Sequence, residues 1–276
     1  MPRIIAFSNQ KGGVGKTTCT RELGLYLSAS GKTVCLVDAD PQANLTKSLT
    51  DSPSPGLYEA LTEEKWELTV LHERLSLLAG NIRCAGVEKI LPTAPWRCQD
   101  AGHVGELDAY SPPHLGAAKM LDTRMRTLFT EAAFNPFDYI LIDCPPSLGV
   151  LTVNALAVAH YLVIPMNPSL YSMQGTNDLM QTVAKVKKTL NPWISLVGVI
   201  INAYERNPVI TQQIVKEIEQ SFGDLVFASR ISKAVAIEEA IASRMSVTCS
   251  KSRVSEEIKE LGRELLLRVD KEPRDE

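Results

Sequence analysis

The sequence predicts a doubly wound α/β fold, a mostly parallel sheet flanked by helices, and three observations carry that expectation. Short β-branched or aliphatic runs alternate with longer amphipathic stretches. Most of the runs are apolar nearly throughout, as strands covered on both faces must be. A glycine-rich loop stands between the first run and the first helical stretch.

In chain order, strands are expected at 3–8 (RIIAFS), 33–37 (TVCLV), 75–79 (LSLLA), 138–142 (DYILI), 160–164 (HYLVI), 195–201 (SLVGVII) and 224–227 (DLVF). Between them 17–29, 118–133, 172–190 and 208–222 have helical length and spacing, and Asn191-Pro192 stops the third. A last helix over 253–269 sets Val254, Ile258, Leu261 and Leu265 on one face, which should dock on the sheet. The stretch 81–117 breaks the rhythm with Pro92, Pro95, Pro112 and Pro113 and reads as an insertion on the rim. There is no internal repeat and no linker, so residues 1–276 are expected to form one domain.

At 276 residues, 45% hydrophobic and 22% charged, the chain is excluded from the disordered, collagenous and coiled-coil classes as a whole. Its net charge is -3, so any contact with nucleic acid must use a local basic patch. Six cysteines (Cys19, Cys35, Cys84, Cys98, Cys144, Cys249) are scattered without a C-x-x-C pair, which is no disulfide framework. With neither a leader-like N-terminus nor a long apolar run, a cytoplasmic protein is expected. Cys84, Cys98, His103 and His114 have spacings that fit no common zinc pattern.

Residues 11–18 read KGGVGKTT, directly after a strand and directly before a helix. Gly12, Gly13 and Gly15 let the backbone around Val14 turn its N–H groups inward, and the helix adds its positive N-terminal dipole, so a polyphosphate is the natural ligand. Lys16 is placed for the β- and γ-phosphates, the Thr17 hydroxyl for Mg²⁺, and Thr18 for the α-phosphate. Asp38 and Asp40, two residues apart where the second strand ends, can both face the phosphates. The alternative for either is an Asx turn. Asp143 follows the apolar run YILI, and Cys144-Pro145-Pro146-Ser147 comes next.

The usual loop pattern begins with glycine where this chain has Gln10, and Lys11 follows it. With that second lysine, KGGVGKTT resembles the deviant Walker A motif of the ParA/MinD class of P-loop ATPases. VDADPQAN resembles its first switch, and IDCPPS its Walker B strand and second switch. The resemblance implies ATP and Mg²⁺, with Lys11 reaching the partner's phosphates in an ATP-sandwich homodimer. It also implies Asp40 serving the attacking water, Asp38 near the metal, Asp143 holding Mg²⁺, and Asn202 approaching the adenine.

Within the class the acidic tail DKEPRDE speaks against a MinD-like membrane helix, so no membrane partner is expected. Cys84 and Cys98 lack the contexts of nitrogenase-type iron proteins. The short ParA form, without an N-terminal helix-turn-helix, remains. It implies nonspecific DNA binding by the dimer, nucleoid association in the ATP state, and hydrolysis that is slow until a ParB-like or cargo-adaptor protein stimulates it. Arg206, Lys233 and Arg253 fall nearest the family's DNA-contacting positions, in a region where 229–253 carries five bases against two acids. Two other readings are a nucleotide-switch adaptor that positions a protein cargo without DNA, and a metabolic ATP-dependent enzyme.

Overall fold

The computed structural model describes residues 1–62, 64–87, 125–169, 172–205 and 208–271. Its frame is a seven-stranded sheet in the order β3-β4-β2-β5-β1-β6-β7. The strands are β1 (Arg3–Phe7), β2 (Val34–Asp38), β3 (Thr69–His72), β4 (Leu75–Leu78), β5 (Tyr139–Asp143), β6 (Tyr161–Met166) and β7 (Ser195–Ile201). Every pairing is parallel except that of β3 with β4. The doubly wound, mostly parallel expectation therefore holds.

Alternation along each strand divides the core. Ile4, Ala6, Cys35, Val37, Ile140 and Ile142 face one layer, where helices α4 (Val150–Val158) and α5 (Ser172–Thr189) supply Leu151, Ala155, Leu179 and Val183. Ile5, Phe7, Val34, Leu36 and Leu141 face the other. There α1 (Lys16–Ala29) contributes Cys19, Leu23 and Leu27, and the C-terminal helix α8 (Arg253–Lys271) contributes Val254, Ile258, Leu261 and Leu265, the residues expected to dock.

Three differences from the sequence reading have physical causes. The expected strand at 224–227 is a 3-10 turn, Gly223–Leu225, with one isolated bridge from Val199 to Val226. β3 was not expected: it is a four-residue antiparallel edge strand inside a segment rich in charged residues. Helix α4 was not expected either, because VLTVNALAV is apolar around nearly its whole circumference and shows no amphipathic period. The short helices α2 (Asn44–Leu49), α3 (Leu57–Leu61) and α7 (Val235–Ala242) span too few residues to announce a period, whereas α6 (Val209–Phe222) matches its expected range.

Of the expected helix at 118–133, residues 125–130 are helical and a 3-10 turn follows at Ala132–Phe134. Of the expected insertion, 81–87 carries the 3-10 turn Ile82–Gly86, with Cys84 and Val87 buried in the core, while 88–117 lies outside the described residues.

Helix α1 carries a second burden besides the loop it follows. Arg21 and Glu22 form an ion pair with no side-chain exposure at all. Arg21 Nη2 donates to the Met245 carbonyl at 3.1 Å, and Glu22 Oε2 accepts from Val247 N at 2.9 Å and from Ser246 Oγ at 3.0 Å. The pair thus fastens the segment after α7 to the helix that begins at the glycine-rich loop. Glu22→Ala would leave the Arg21 guanidinium buried and uncompensated, a loss of about 3–5 kcal/mol. At roughly 2–4 °C per kcal/mol for a chain of this size, Tm should fall by on the order of 10 °C. A thermal melt within about 2 °C of the wild type would contradict this account.

Candidate phosphate-binding site

The C-terminal ends of β1, β2 and β5 converge on one edge of the sheet, where open α/β folds place ligands. Gly13 and Gly15 stand at φ 73° and 91°, and Gly15 directly precedes the first residue of α1. A Cβ at Gly15 would overlap the side-chain amide of Asn202, so position 15 requires glycine for both conformation and space. Asn202, at the end of β7, donates its amide N–H to the Val14 carbonyl at 3.0 Å and so holds the loop from the far side.

Asn9 was not singled out in the sequence, yet it fixes the start of the loop. Its Nδ2 donates to the Pro165 carbonyl at 2.8 Å and its Oδ1 accepts from Lys11 N at 3.0 Å. Lys16 is 6% exposed and donates Nζ–H to the Lys11 carbonyl at 3.1 Å. Burial pulls the Lys16 pKa below its ordinary value even though Asp143 and Asp40 favour the ammonium. The Lys11 side chain reaches outward to the Ser169 hydroxyl.

The Thr17 hydroxyl donates to Asp143 Oδ2 at 2.6 Å. The other oxygen, Asp143 Oδ1, is buried without a hydrogen-bond partner. Burial, with Asp38 in register on the neighbouring strand, pushes the Asp143 pKa well above the usual carboxylate range. Thr17 and Asp143 together offer hard oxygen donors of the kind that suit a small divalent cation.

Asp38 is fully buried, and both its oxygens are engaged: Oδ1 by Asp40 N at 3.2 Å, Oδ2 by Thr46 N at 2.8 Å and Thr46 Oγ1 at 2.7 Å. Burial raises its pKa to about 6 against the lowering effect of those bonds. Asp40 lies nearer the surface, its Oδ1 accepting from Gln42 N at 2.9 Å in an Asx turn.

A cavity of about 700 Å³ opens over these groups, lined by Gly12, Gly13, Gly15, Lys16, Thr17, Thr18 and Asp40 from the expected set. Gln42 and Asn44 come from VDADPQAN and Pro146 from IDCPPS, the two switch-like segments, whereas Arg21, Lys47, Ser48, Ile241, Ala242 and Arg244 have no such signal, since nothing local in sequence ties 241–244 to the loop. Arg244 is joined to Asp51 by an ion pair across the rim.

The expected DNA-contacting residues lie elsewhere. Lys233 donates to Glu205 Oε1 at 2.8 Å and Arg253 Nε to Glu257 Oε1 at 2.8 Å; both basic side chains are more than two-thirds exposed. Arg206 lies outside the described residues, as do Cys98, His103 and His114. Among the described residues no cluster of three or more His, Cys, Asp or Glu side chains is arranged to hold a metal, and no helix is long and apolar enough to cross a membrane.

A glycine-rich loop between a parallel strand and a helix, with a buried lysine and a threonine-aspartate pair beneath it, defines a P-loop nucleotide-binding fold. Residues 5–247 match the family described as the CobQ/CobB/MinD/ParA nucleotide binding domain, and the chain belongs to that family. The chromosome partitioning protein ParA of Caulobacter vibrioides (strain NA1000 / CB15N) is 36% identical over 240 residues, covering 86% of this chain and 83% of the relative. The chromosome-partitioning ATPase Soj of Treponema pallidum (strain Nichols) is 33% identical over 277 residues, covering 97% and 98%. Among solved structures, cobyrinic acid a,c-diamide synthase from Mycobacterium smegmatis with bound ADP and magnesium superposes with a TM-score of 0.75 at 28% identity, covering 98% of this chain and 96% of that one. The resemblance drawn from KGGVGKTT, VDADPQAN and IDCPPS to ParA-type partition ATPases is thus borne out at the level of family.

Proposed function

We propose that this chain is a partition ATPase that binds Mg-ATP at the Lys11–Thr18 loop, closes into an ATP-sandwich homodimer and in that state holds DNA without sequence preference. The observation that carries the reading is the Thr17–Asp143 contact of 2.6 Å beneath the Lys16 ammonium, with Asp143 Oδ1 buried and free beside it. Relatives named as partition ATPases support it across nearly the whole chain.

In this reading Thr17 and Asp143 hold Mg²⁺, which supplies charge neutralisation at the phosphates. Gly12, Gly13, Val14 and Gly15 present N–H groups to the phosphate oxygens, Lys16 exchanges its Lys11 carbonyl for them, and Thr18 meets the α-phosphate. Asp40 orients the attacking water and accepts its proton. Lys11 leaves Ser169 to reach the partner's nucleotide, a cation supplied in trans. Asn202, already fixed to the loop, stands by the base. The chain acts as a single domain in the cytoplasm, on the nucleoid when ATP is bound, with a ParB-like or cargo-adaptor protein accelerating a slow hydrolysis.

DNA contact is assigned to Arg206, Lys233 and Arg253. Lys233 is paired with the half-exposed Glu205, a contact worth about 0–1 kcal/mol that a phosphate can displace readily. Arg253 is itself more than two-thirds exposed, although its partner Glu257 is largely buried and also accepts from Ser232. Dimerisation doubles the contacts. With on the order of four to six phosphates neutralised, log affinity should fall against log salt with a slope of roughly -4 to -5. Lys233→Glu should weaken binding to all DNA sequences alike while leaving the ATP dimer intact. An ATP-titrated DNA-binding assay at two salt concentrations tests this; no ATP-dependent retention at low salt, with the dimer confirmed in the same sample, would favour the protein-cargo adaptor.

A metabolic ATP-dependent enzyme is the second reading, favoured by the match to the cobyrinic acid a,c-diamide synthase. The substrate pocket it would place in 81–117 falls largely outside the described residues. ATP-dependent DNA retention separates it from the first reading.

A further inference from the structure

Helix α2 opens on the C-terminal side of the loop that carries Asp40, and it lacks a cap of its own. Its N-cap residue is Ala43, which has no side-chain oxygen and sits in the left-handed region at φ 53°. The orphan N–H of Thr46, in the first turn, is instead taken by a carboxylate from another element, Asp38 at the end of β2. The Thr46 hydroxyl donates to the same Asp38 oxygen and accepts from Gly80 N at 3.0 Å. Asp38's other oxygen takes the N–H of Asp40 itself. At Gly80 a Cβ would overlap the Asp38 carbonyl oxygen, so the strand end after β4 can approach this closely only as glycine.

We infer that Asp38 and Thr46 are positioning residues: one buried carboxylate spans the loop from residue 38 to residue 46 and sets where Asp40 stands, instead of binding the metal. All of Asp38's polar contacts are to protein donors on this loop and helix. Asp143 keeps a free oxygen and Asp38 does not. The loop needs such a brace because Ala43 holds an unfavourable backbone conformation and its own side chain contributes nothing to the helix start. The inference rests on the reading of Asp40 as the residue that serves the attacking water.

The test separates binding from chemistry. Thr46→Val removes the hydroxyl while keeping size and backbone; Thr46→Ser restores the hydroxyl. Thr46→Val is expected to bind Mg-ATP within about twofold of the wild-type Kd while its single-turnover hydrolysis slows by about 10- to 100-fold, the scale on which misplacing a catalytic group by about 1 Å acts. Thr46→Ser should recover most of the rate.

A Thr46→Val chain that hydrolyses ATP at the wild-type rate overturns the inference. So does one whose loss lies in Kd, or a Thr46→Ser chain as slow as the valine variant. Should circular dichroism show Thr46→Val unfolded, Asp38→Asn is measured by the same criteria, since an amide can no longer accept on both sides. Asp40→Ala runs alongside. If it retains wild-type turnover, the reading of Asp40 fails and this inference falls with it; if it is inactive while Thr46→Val is unaffected, only the positioning role is lost.

Discussion

Lys16→Ala is expected to reduce ATP affinity by at least about 100-fold and to abolish hydrolysis. The Lys16 ammonium is almost fully buried and has one protein acceptor, the Lys11 carbonyl. An ammonium so desolvated gains strongly from anionic oxygens. Each charge-assisted hydrogen bond to phosphate contributes about 1.5–3 kcal/mol, and a factor of ten in affinity corresponds to about 1.4 kcal/mol. Two such bonds suffice for the predicted loss. The nucleotide-free fold should tolerate the change, because the substitution removes a desolvated charge whose burial lowers its pKa and leaves only the Lys11 carbonyl without its partner. A titration with fluorescent ATP together with a thermal melt decides the matter. Wild-type turnover in Lys16→Ala would end the assignment of the loop.

The sheet was legible because its central strands are buried on both faces. VCLVD and YILID carry almost no polar residue before their final aspartates, and no other element class explains such runs beside amphipathic helices of 14–19 residues. The phosphate loop was legible for a different reason: its chemistry is packed into eight consecutive residues. What escaped notice is nonlocal or short. Asn9 is anchored to Pro165 and Arg21 to Met245, partners visible only when distant strands and helices are brought together, while Asp38 meets Thr46 eight residues on, at the start of a helix too short to announce itself. Asp38 illustrates the limit. Its spacing from Asp40 suggested two carboxylates facing phosphate, yet the start of α2 turns both its oxygens toward the protein. The strand expected at 224–227 erred in the opposite direction, since DLVF has the right residues but joins β7 through an isolated bridge, Val226 with Val199, in which Phe227 N donates to the Val199 carbonyl at 2.9 Å.

Asp40→Ala should bind Mg-ATP and fail to consume it. Asp40 lines the cavity beside Lys16 and Thr17, and its carboxylate accepts from the N–H of Gln42 within its own turn, acting on the Lys16 ammonium through charge. Removing it therefore leaves the phosphate contacts in place and costs the fold about 1 kcal/mol, the value of one hydrogen bond. Loss of a positioned base slows the chemical step by roughly 10²–10⁴. If hydrolysis is the exit from the ATP dimer, that dimer must accumulate. Light scattering with ATP should then show a persistent species of twice the monomer mass for Asp40→Ala, under conditions where the wild type returns to monomer as ATP is spent. Failure of Asp40→Ala to bind ATP at all would instead place this carboxylate among the ligand-holding groups, and the water would have to be served from elsewhere on the cavity wall.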